Sequence, residues 1–152
     1  MSTTAGTSHT DRVSIRHATA GDADAIFGLL EQLAASFSPQ RSSFDEAFTD
    51  VVREQDDRIF YVAERGGVVV GYALTILVRP LYTEGLSAEL QELVVDEHAR
   101  NSGIGSLLVT AVEAECRQRG ARQLTVASTR GAAFYERLDY RSTADFLKKV
   151  FD

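Results

Sequence analysis

The sequence contains little of what disulfide-linked, metal-binding or membrane-spanning proteins need. Cys116 is the single cysteine among 152 residues, so the chain has no internal disulfide framework and no cysteine-rich metal site. The three histidines lie far apart and show none of the spacings of metal ligands, so we assign no metal. No apolar run approaches the roughly 20 residues that span a bilayer, and the N-terminus lacks the apolar core of a secretory signal. We therefore expect no membrane partner and a cytoplasmic protein.

Positive charge is also scarce. The chain has 16 Lys and Arg residues against 22 Asp and Glu residues, which gives a formal net charge of -6 at pH 7. Because nucleic-acid binding needs clustered Lys and Arg to displace counterions, we expect no nucleic-acid partner. An acidic surface suits a cationic substrate, but a modest negative charge also serves ordinary solubility.

The length and the 44% content of hydrophobic residues predict one compact domain, at 12–152. Residues 1–11 are small and polar without periodicity, which favours a disordered N-terminal tail. Apolar periodicity and turn residues predict four helices. The first starts after Thr19, where Asp22 suggests a capping box, and the others lie at 43–55, 103–119 and 130–138. The same signals also locate the strands. They predict strands at 13–17, 58–65, 68–78, 88–96, 123–127 and 144–151.

This order of elements predicts the fold class. Gly66 and Gly67 are typical of a two-residue hairpin between the second and third strands, and a later strand-helix-strand unit requires a crossover. We expect an α/β (α+β) fold with a mixed, mostly antiparallel sheet of six to seven strands and helices on both faces.

The junction at residues 93–108 carries the most chemical information. An apolar strand runs through a polar loop into a helix that begins at Gly103-Ile104-Gly105. The first N–H groups of a helix have no intrahelical partner and lie at the positive end of its dipole, so they can donate to a pyrophosphate. Arg100 adds a permanent positive charge. The segment is neither a P-loop, because it lacks Gly-Lys-Ser/Thr, nor a Rossmann fingerprint, because Leu108 stands where glycine is needed.

Three segments together resemble the GNAT superfamily of N-acetyltransferases. Arg100, Gly103 and Gly105 match its coenzyme A motif, 15–23 is similar to its opening strand and helix, and 132–140 is similar to its C-terminal Phe-Tyr segment. The resemblance implies a GNAT-like fold whose fourth and fifth strands splay apart, with acetyl-CoA (coenzyme A) as the donor. The cofactor-binding residues that it implies are Leu93, Val94, Val95, Arg100, Asn101, Ser102, Gly103, Ile104, Gly105, Ser106 and Ser128.

Two carboxylates are candidates for the general base of acetyl transfer. An alkylammonium with a pKa of about 10.4 must lose a proton before it attacks a thioester. Glu92, immediately before the strand segment expected to contact the cofactor, is the first candidate. Glu89 is the alternative, and an undisturbed strand would point it to the opposite face. Water is a third option.

Tyr135 matches the tyrosine that protonates the coenzyme A thiolate in many GNAT enzymes. A backbone N–H near Val94 or Val95 should polarise the thioester carbonyl. A covalent intermediate on Cys116 is a weaker alternative, because no histidine is close to it in sequence.

The chain departs from the family pattern at three positions. Ser128 replaces a common asparagine, Asp139 replaces a glycine and Glu97 replaces a proline. Asp139 tolerates a left-handed backbone better than most residues do, so these departures affect the details of the cofactor site more than the fold.

The acceptor is less constrained by the sequence than the cofactor. From the family topology we expect Phe37, Tyr82 and Glu84, with Phe44, to contribute to its pocket. The leading hypothesis is acetylation of a primary amine on a small molecule by direct attack in a ternary complex. The alternatives are acetylation of a protein N-terminus or lysine, and a non-catalytic acyl-CoA-binding regulatory module. The resemblance also leaves a homodimer open.

Overall fold

The computed structural model describes residues 12–34, 37–128 and 131–151, so the expected tail at 1–11 lies outside the described residues. Short 3-10 turns at Ala20–Asp22 and Glu97–Ala99 precede the first and third helices. The strands are β1 (Val13–His17), β2 (Arg58–Arg65), β3 (Val68–Val78), β4 (Leu86–Val95) and β5 (Ala121–Val126). The helices are α1 (Ala23–Leu33), α2 (Arg41–Arg53), α3 (Ile104–Gln118) and α4 (Ala132–Arg137).

The strands lie in the sheet in the order in which they occur in the chain, β1-β2-β3-β4-β5. The first four form antiparallel pairs. The pair β4–β5 is parallel, and α3 makes the crossover that a parallel connection requires. The expected mixed, mostly antiparallel sheet is thereby confirmed.

Helices cover both faces of this sheet, as expected. On one face, α3 buries Leu108 and Val112 against Ile59 and Ala73. On the other, α1 and α2 pack Ile26 and Phe48 with side chains such as Phe60, Val62 and Val94. Neighbouring residues of one strand thus enter opposite cores, as the two-residue period of a strand requires.

The local signals at Gly66-Gly67 and Thr19 are confirmed. Both glycines have positive φ, 60° and 78°, as a type I′ hairpin turn needs. Thr19 is the N-cap of the first 3-10 turn, and its backbone N–H donates to the Asp22 carboxylate at 2.8 Å.

The predicted strand count was wrong: the sheet has five strands rather than six to seven. The sequence at 144–151 has strand propensity, but within the described residues it has no strand conformation. Its large apolar side chains are exposed, including Phe146 and Leu147. Strand propensity reflects packing against neighbouring strands, and no strand in the described part of the chain pairs with this segment.

Candidate active site

A bulge in β4 determines where its two glutamates lie. Leu74 of β3 pairs with Glu92, whereas the next residue, Thr75, pairs with Leu90. Gln91 is therefore an extra residue that has no partner on β3. Because the extra residue resets the side-chain alternation, Glu89 and Glu92 lie on the same face of the sheet. The expectation that they point to opposite faces was wrong, since it assumed an undisturbed strand.

Strand β4 also loses its other neighbour at this point. The parallel pairing with β5 ends at Leu90 and Val126, while β4 continues to Val95. Within the described residues, the edge of 91–95 that faces away from β3 therefore has no strand partner. Apart from Val95 O, which accepts a hydrogen bond from Arg100 Nε, the peptide groups on this edge are available to an extended ligand. The segment includes the predicted cofactor contacts Leu93, Val94 and Val95.

The N-terminus of α3 lies just beyond this open edge. Gly103 is its N-cap in a left-handed conformation (φ 83°), without a side-chain hydrogen bond to the first turn. The Leu107 N–H donates to Gly103 O at 3.1 Å, so the N–H groups of Ile104, Gly105 and Ser106 precede the first intrahelical bond of the helix. They form a row of donors at the positive end of a 15-residue helix.

The two glycines of this turn have different physical roles. A Cβ on Gly103 would meet no atom within 4 Å, so its positive φ is what favours glycine. A Cβ on Gly105 would lie 3.3 Å from the Phe134 ring and 3.8 Å from Val95 Cγ2. Gly105 thus permits close packing between α3, α4 and β4.

The loop before α3 is held by its own contacts and by α1. The Ser102 hydroxyl donates to Ala99 O, and Asn101 has a positive φ of 64°. The exposed Arg100 donates through Nε to Val95 O at 3.3 Å, which keeps its guanidinium beside the open edge of β4. The Glu97 N–H donates to the Gln32 side chain at 2.9 Å, so α1 fixes the start of this loop.

Glu92 faces an apolar pocket of about 400 Å³ between α1, α2 and the sheet. The buried Tyr72 hydroxyl donates to Glu92 Oε1 at 2.9 Å. Burial, and secondly the charge of Glu92, raise the pKa of Tyr72 well above its ordinary value, so the phenol stays a donor at neutral pH. The remaining walls are largely aliphatic and aromatic, for example Leu30, Phe44 and Phe60.

The predicted acceptor residues are only partly brought together. Phe37 and Phe44 line this pocket. Tyr82 and Glu84 do not: they lie in the turn after β3, where Tyr82 is 81% exposed. A Cβ on the neighbouring Gly85 would lie 2.9 Å from Arg122 Cδ, so this turn packs against the start of β5 instead of the pocket.

Tyr135 lies on the opposite face of the sheet. It packs against the α3-side core, its ring is 4.9 Å from Phe134, and burial raises its pKa. With Ser128 it lines a groove of about 910 Å³ along β5 and α4. The Ser128 hydroxyl accepts from the Gly131 N–H at 2.8 Å, so it holds the start of α4. Asp139 adopts the left-handed conformation expected of it, with φ 69°.

Cys116 is a core residue of α3 with 4% exposure. Burial raises the pKa of its thiol to about 11, which leaves almost no thiolate at neutral pH. The structure therefore disfavours the covalent alternative.

None of the helices in the described part of the chain combines the length and apolarity that crossing a membrane requires. Over 12–34, 37–128 and 131–151, no group of three or more His, Cys, Asp or Glu side chains is arranged to hold a metal ion.

Sequence reasoning missed Tyr72 and the bulge. Tyr72 is one of several large residues in a buried strand, and only the register of β3 against β4 brings its hydroxyl to Glu92. Two consecutive polar residues in a strand, Gln91 and Glu92, are a weak signal of a bulge, because they also fit a strand end that is exposed.

The open strand edge beside free helix amides is the arrangement that the sequence resemblance implies. The acetyltransferase (GNAT) family model matches residues 28–140. The chain therefore belongs to the GNAT family of acetyltransferases.

One relative by sequence is also named an N-acetyltransferase, and two solved structures share the fold. An aminoalkylphosphonate N-acetyltransferase of Salmonella typhimurium is 34% identical over 116 residues, which cover 76% of this chain and 73% of the relative. The crystal structure of a transcriptional regulator from Bacillus halodurans matches with a TM-score of 0.85 and 25% identity, covering 92% of this chain and all of the other. The crystal structure of glucosamine-6-phosphate N-acetyltransferase from Arabidopsis thaliana matches with a TM-score of 0.82 and 21% identity. The match covers 93% of this chain and 100% of the other.

Proposed function

We propose that the protein transfers the acetyl group of acetyl-CoA to a primary amine of a small molecule, by direct attack in a ternary complex. The observation that carries this proposal is the opening between β4 and β5 beyond Leu90 and Val126. The free amides of α3 lie at one end of it, and Glu92 and Tyr135 lie on opposite faces of the sheet.

The hydrogen-bond donors and the open strand edge at this site fit a nucleotide diphosphate joined to an extended chain. Unpaired N–H groups of Ile104, Gly105 and Ser106, with the positive charge of Arg100, match phosphate oxygens. The unpaired edge of 91–95 matches the amides of a pantetheine arm, which adds to β4 as a short strand would. When bound, acetyl-CoA supplies an activated acetyl thioester, and a peptide N–H of β4 near Val94 polarises its carbonyl.

Glu92 removes a proton from the substrate ammonium, directly or through water. The neutral nitrogen then forms a bond to the acetyl carbon as the carbon–sulfur bond breaks, and Tyr135 donates its phenolic proton to the departing sulfur. The nitrogen releases two protons in all and the sulfur takes up one, so each turnover liberates one proton. Glu89, on the same face, is the alternative base.

The relatives support a small-molecule acceptor. The Salmonella typhimurium and Arabidopsis thaliana proteins are named for small amines, an aminoalkylphosphonate and glucosamine 6-phosphate. The pocket beside Glu92, at about 400 Å³, also has the size of a small-molecule site.

Release of free thiol from acetyl-CoA across a panel of amines tests this function. We expect amine-dependent thiol release with some small primary amine, accompanied by an N-acetylated product in mass spectrometry. Turnover with peptides alone would instead assign a protein N-terminus or lysine as acceptor. Binding of acetyl-CoA without turnover on any amine would indicate a regulatory module.

A further inference from the structure

We infer that the acceptor is a monoamine whose ammonium is carried on an apolar alkyl or arylalkyl body. This inference rests on the proposed function and specifies its substrate class. Among the described residues that line the pocket, Glu92 alone carries a charge. The polar remainder is Ser38, Gln40, Ser43 and the Tyr72 hydroxyl, which already donates to Glu92.

The single carboxylate fits a single ammonium. Glu92 has no cationic partner within the described ranges, and Tyr72 occupies one of its oxygens. A carboxylate facing apolar walls is costly unless it is paired. A substrate ammonium at Oε2 supplies that pairing beside the reacting strand.

The apolar walls of the pocket favour an apolar body for the rest of the substrate. Phe44 stacks on Phe48 with ring centroids 5.2 Å apart, and Phe48 meets Phe60 edge to face at 6.0 Å. With Ile26, Leu30 and Leu74 they form an apolar surface. A second ammonium or a phosphate would lose hydration there without a charged partner among the described lining residues.

Arg41, a cation beside the pocket wall, is not available for an anionic substrate. Arg41 lies 5.7 Å from the centroid of Phe44 but is not among the residues that line the pocket. Its guanidinium pairs with Asp24 at 2.7 Å and Asp45 at 2.8 Å. Amines that carry a phosphate or phosphonate therefore find no free positive charge among the described residues that line this pocket.

A homologous series tests the inference on the wild-type protein. We expect kcat/KM to rise about fourfold per methylene from propylamine to hexylamine, because burial of a methylene contributes about 0.8 kcal/mol. The 1,n-diamines and 2-aminoethylphosphonate should be at least tenfold poorer than a monoamine of similar length. A flat series, or a preference for a diamine or the phosphonate, would overturn the inference and leave the acetyltransferase function intact.

A variant that places a second carboxylate in the pocket wall, compared with a control variant outside the pocket, provides a further test. Ala47 lines the pocket from an exposed position of α2, whereas Thr49 is exposed on the same helix outside the lining. Ala47→Asp should shift the preference at least tenfold toward diamines, and Thr49→Asp should leave the preference unchanged. Equal effects of the two variants would contradict the inference.

Calorimetry of hexylamine binding in the presence of coenzyme A separates the proposed acetyltransferase function from the inferred class of acceptor. If hexylamine binds, and Ala47→Asp weakens this binding while Thr49→Asp does not, the result would support the apolar pocket as the acceptor site. This holds even if no amine is acetylated. Acetylation of other amines without detectable binding of hexylamine would overturn it.

Discussion

The Tyr72 hydroxyl donates a 2.9 Å hydrogen bond to Glu92 Oε1, which joins β3 to the residue that follows the β4 bulge. This bond fixes the carboxylate at the apolar pocket and leaves its second oxygen for the substrate. Tyr72 is thus a positioning residue that acts through Glu92.

Tyr72→Phe should lower kcat/KM about tenfold, because a hydrogen bond to a charged group contributes roughly 1.5 kcal/mol. The loss should appear in kcat/KM for the amine and leave the affinity for acetyl-CoA unchanged, because the bond positions the carboxylate that meets the amine. Tyr61→Phe is the matched control, since it removes a 3.0 Å tyrosine–glutamate bond, to Glu115, on the α3 side. A change in stability with no change in kcat/KM for the amine would assign Tyr72 a purely structural role.

Glu92→Gln should lower kcat/KM by about 10²-fold and move the remaining activity to higher pH, because the amine must then lose its proton to solvent. Steady-state kinetics between pH 6 and 10 measure both effects. Glu89→Gln tests the alternative base on the same face. An unaltered profile for Glu92→Gln, with a large loss for Glu89→Gln, would transfer the role to Glu89.

Tyr135→Phe should lower kcat by about 10²-fold with little change in the affinity for acetyl-CoA, because the hydroxyl is needed as the thiolate leaves. The raised pKa of Tyr135 keeps its proton in place at neutral pH. Single-turnover kinetics and calorimetry separate the two quantities. Unchanged turnover would remove Tyr135 from the mechanism.

Gly103→Ala should weaken coenzyme A binding and lower the free energy of unfolding by about 1 kcal/mol, because its φ of 83° strains any side chain. Gly28→Ala is the matched control. Gly28 lies inside α1, a Cβ there would meet nothing within 4 Å, and alanine should stabilise the helix by about 0.5–1 kcal/mol. Denaturant unfolding of the two variants should therefore give changes of opposite sign.

Asp22→Asn should lower the free energy of unfolding at pH 7 by about 1–3 kcal/mol. The Asp22 carboxylate accepts hydrogen bonds from the Arg16 guanidinium at 2.8 and 2.9 Å. Chiefly through these bonds, Arg16 lowers the pKa of Asp22. The stabilisation is present above the unfolded pKa of about 3.9 and is lost as pH falls through the lower folded value. The difference from wild type should therefore shrink in acid; a difference independent of pH would contradict this.

The sequence predicted those features that depend on local chemistry. Gly66-Gly67 specifies a hairpin, and Gly103 begins a helix whose free amides follow from helix geometry alone. The relative position of Glu89 and Glu92 depends on one extra residue at Gln91, which local propensity does not reveal. The absence of a strand at 144–151 depends on neighbours, so its apolar sequence was misleading. The Tyr72–Glu92 bond follows only from the register of two strands.

Titration calorimetry of the full chain with coenzyme A tests the central claim most directly, because the open edge of β4 and the amides of α3 have to bind it together. We expect saturable one-to-one binding that weakens with increasing salt and is reduced at least tenfold by Gly103→Ala combined with Arg100→Ala. No detectable heat with coenzyme A or acetyl-CoA, from protein that unfolds cooperatively, would contradict the account.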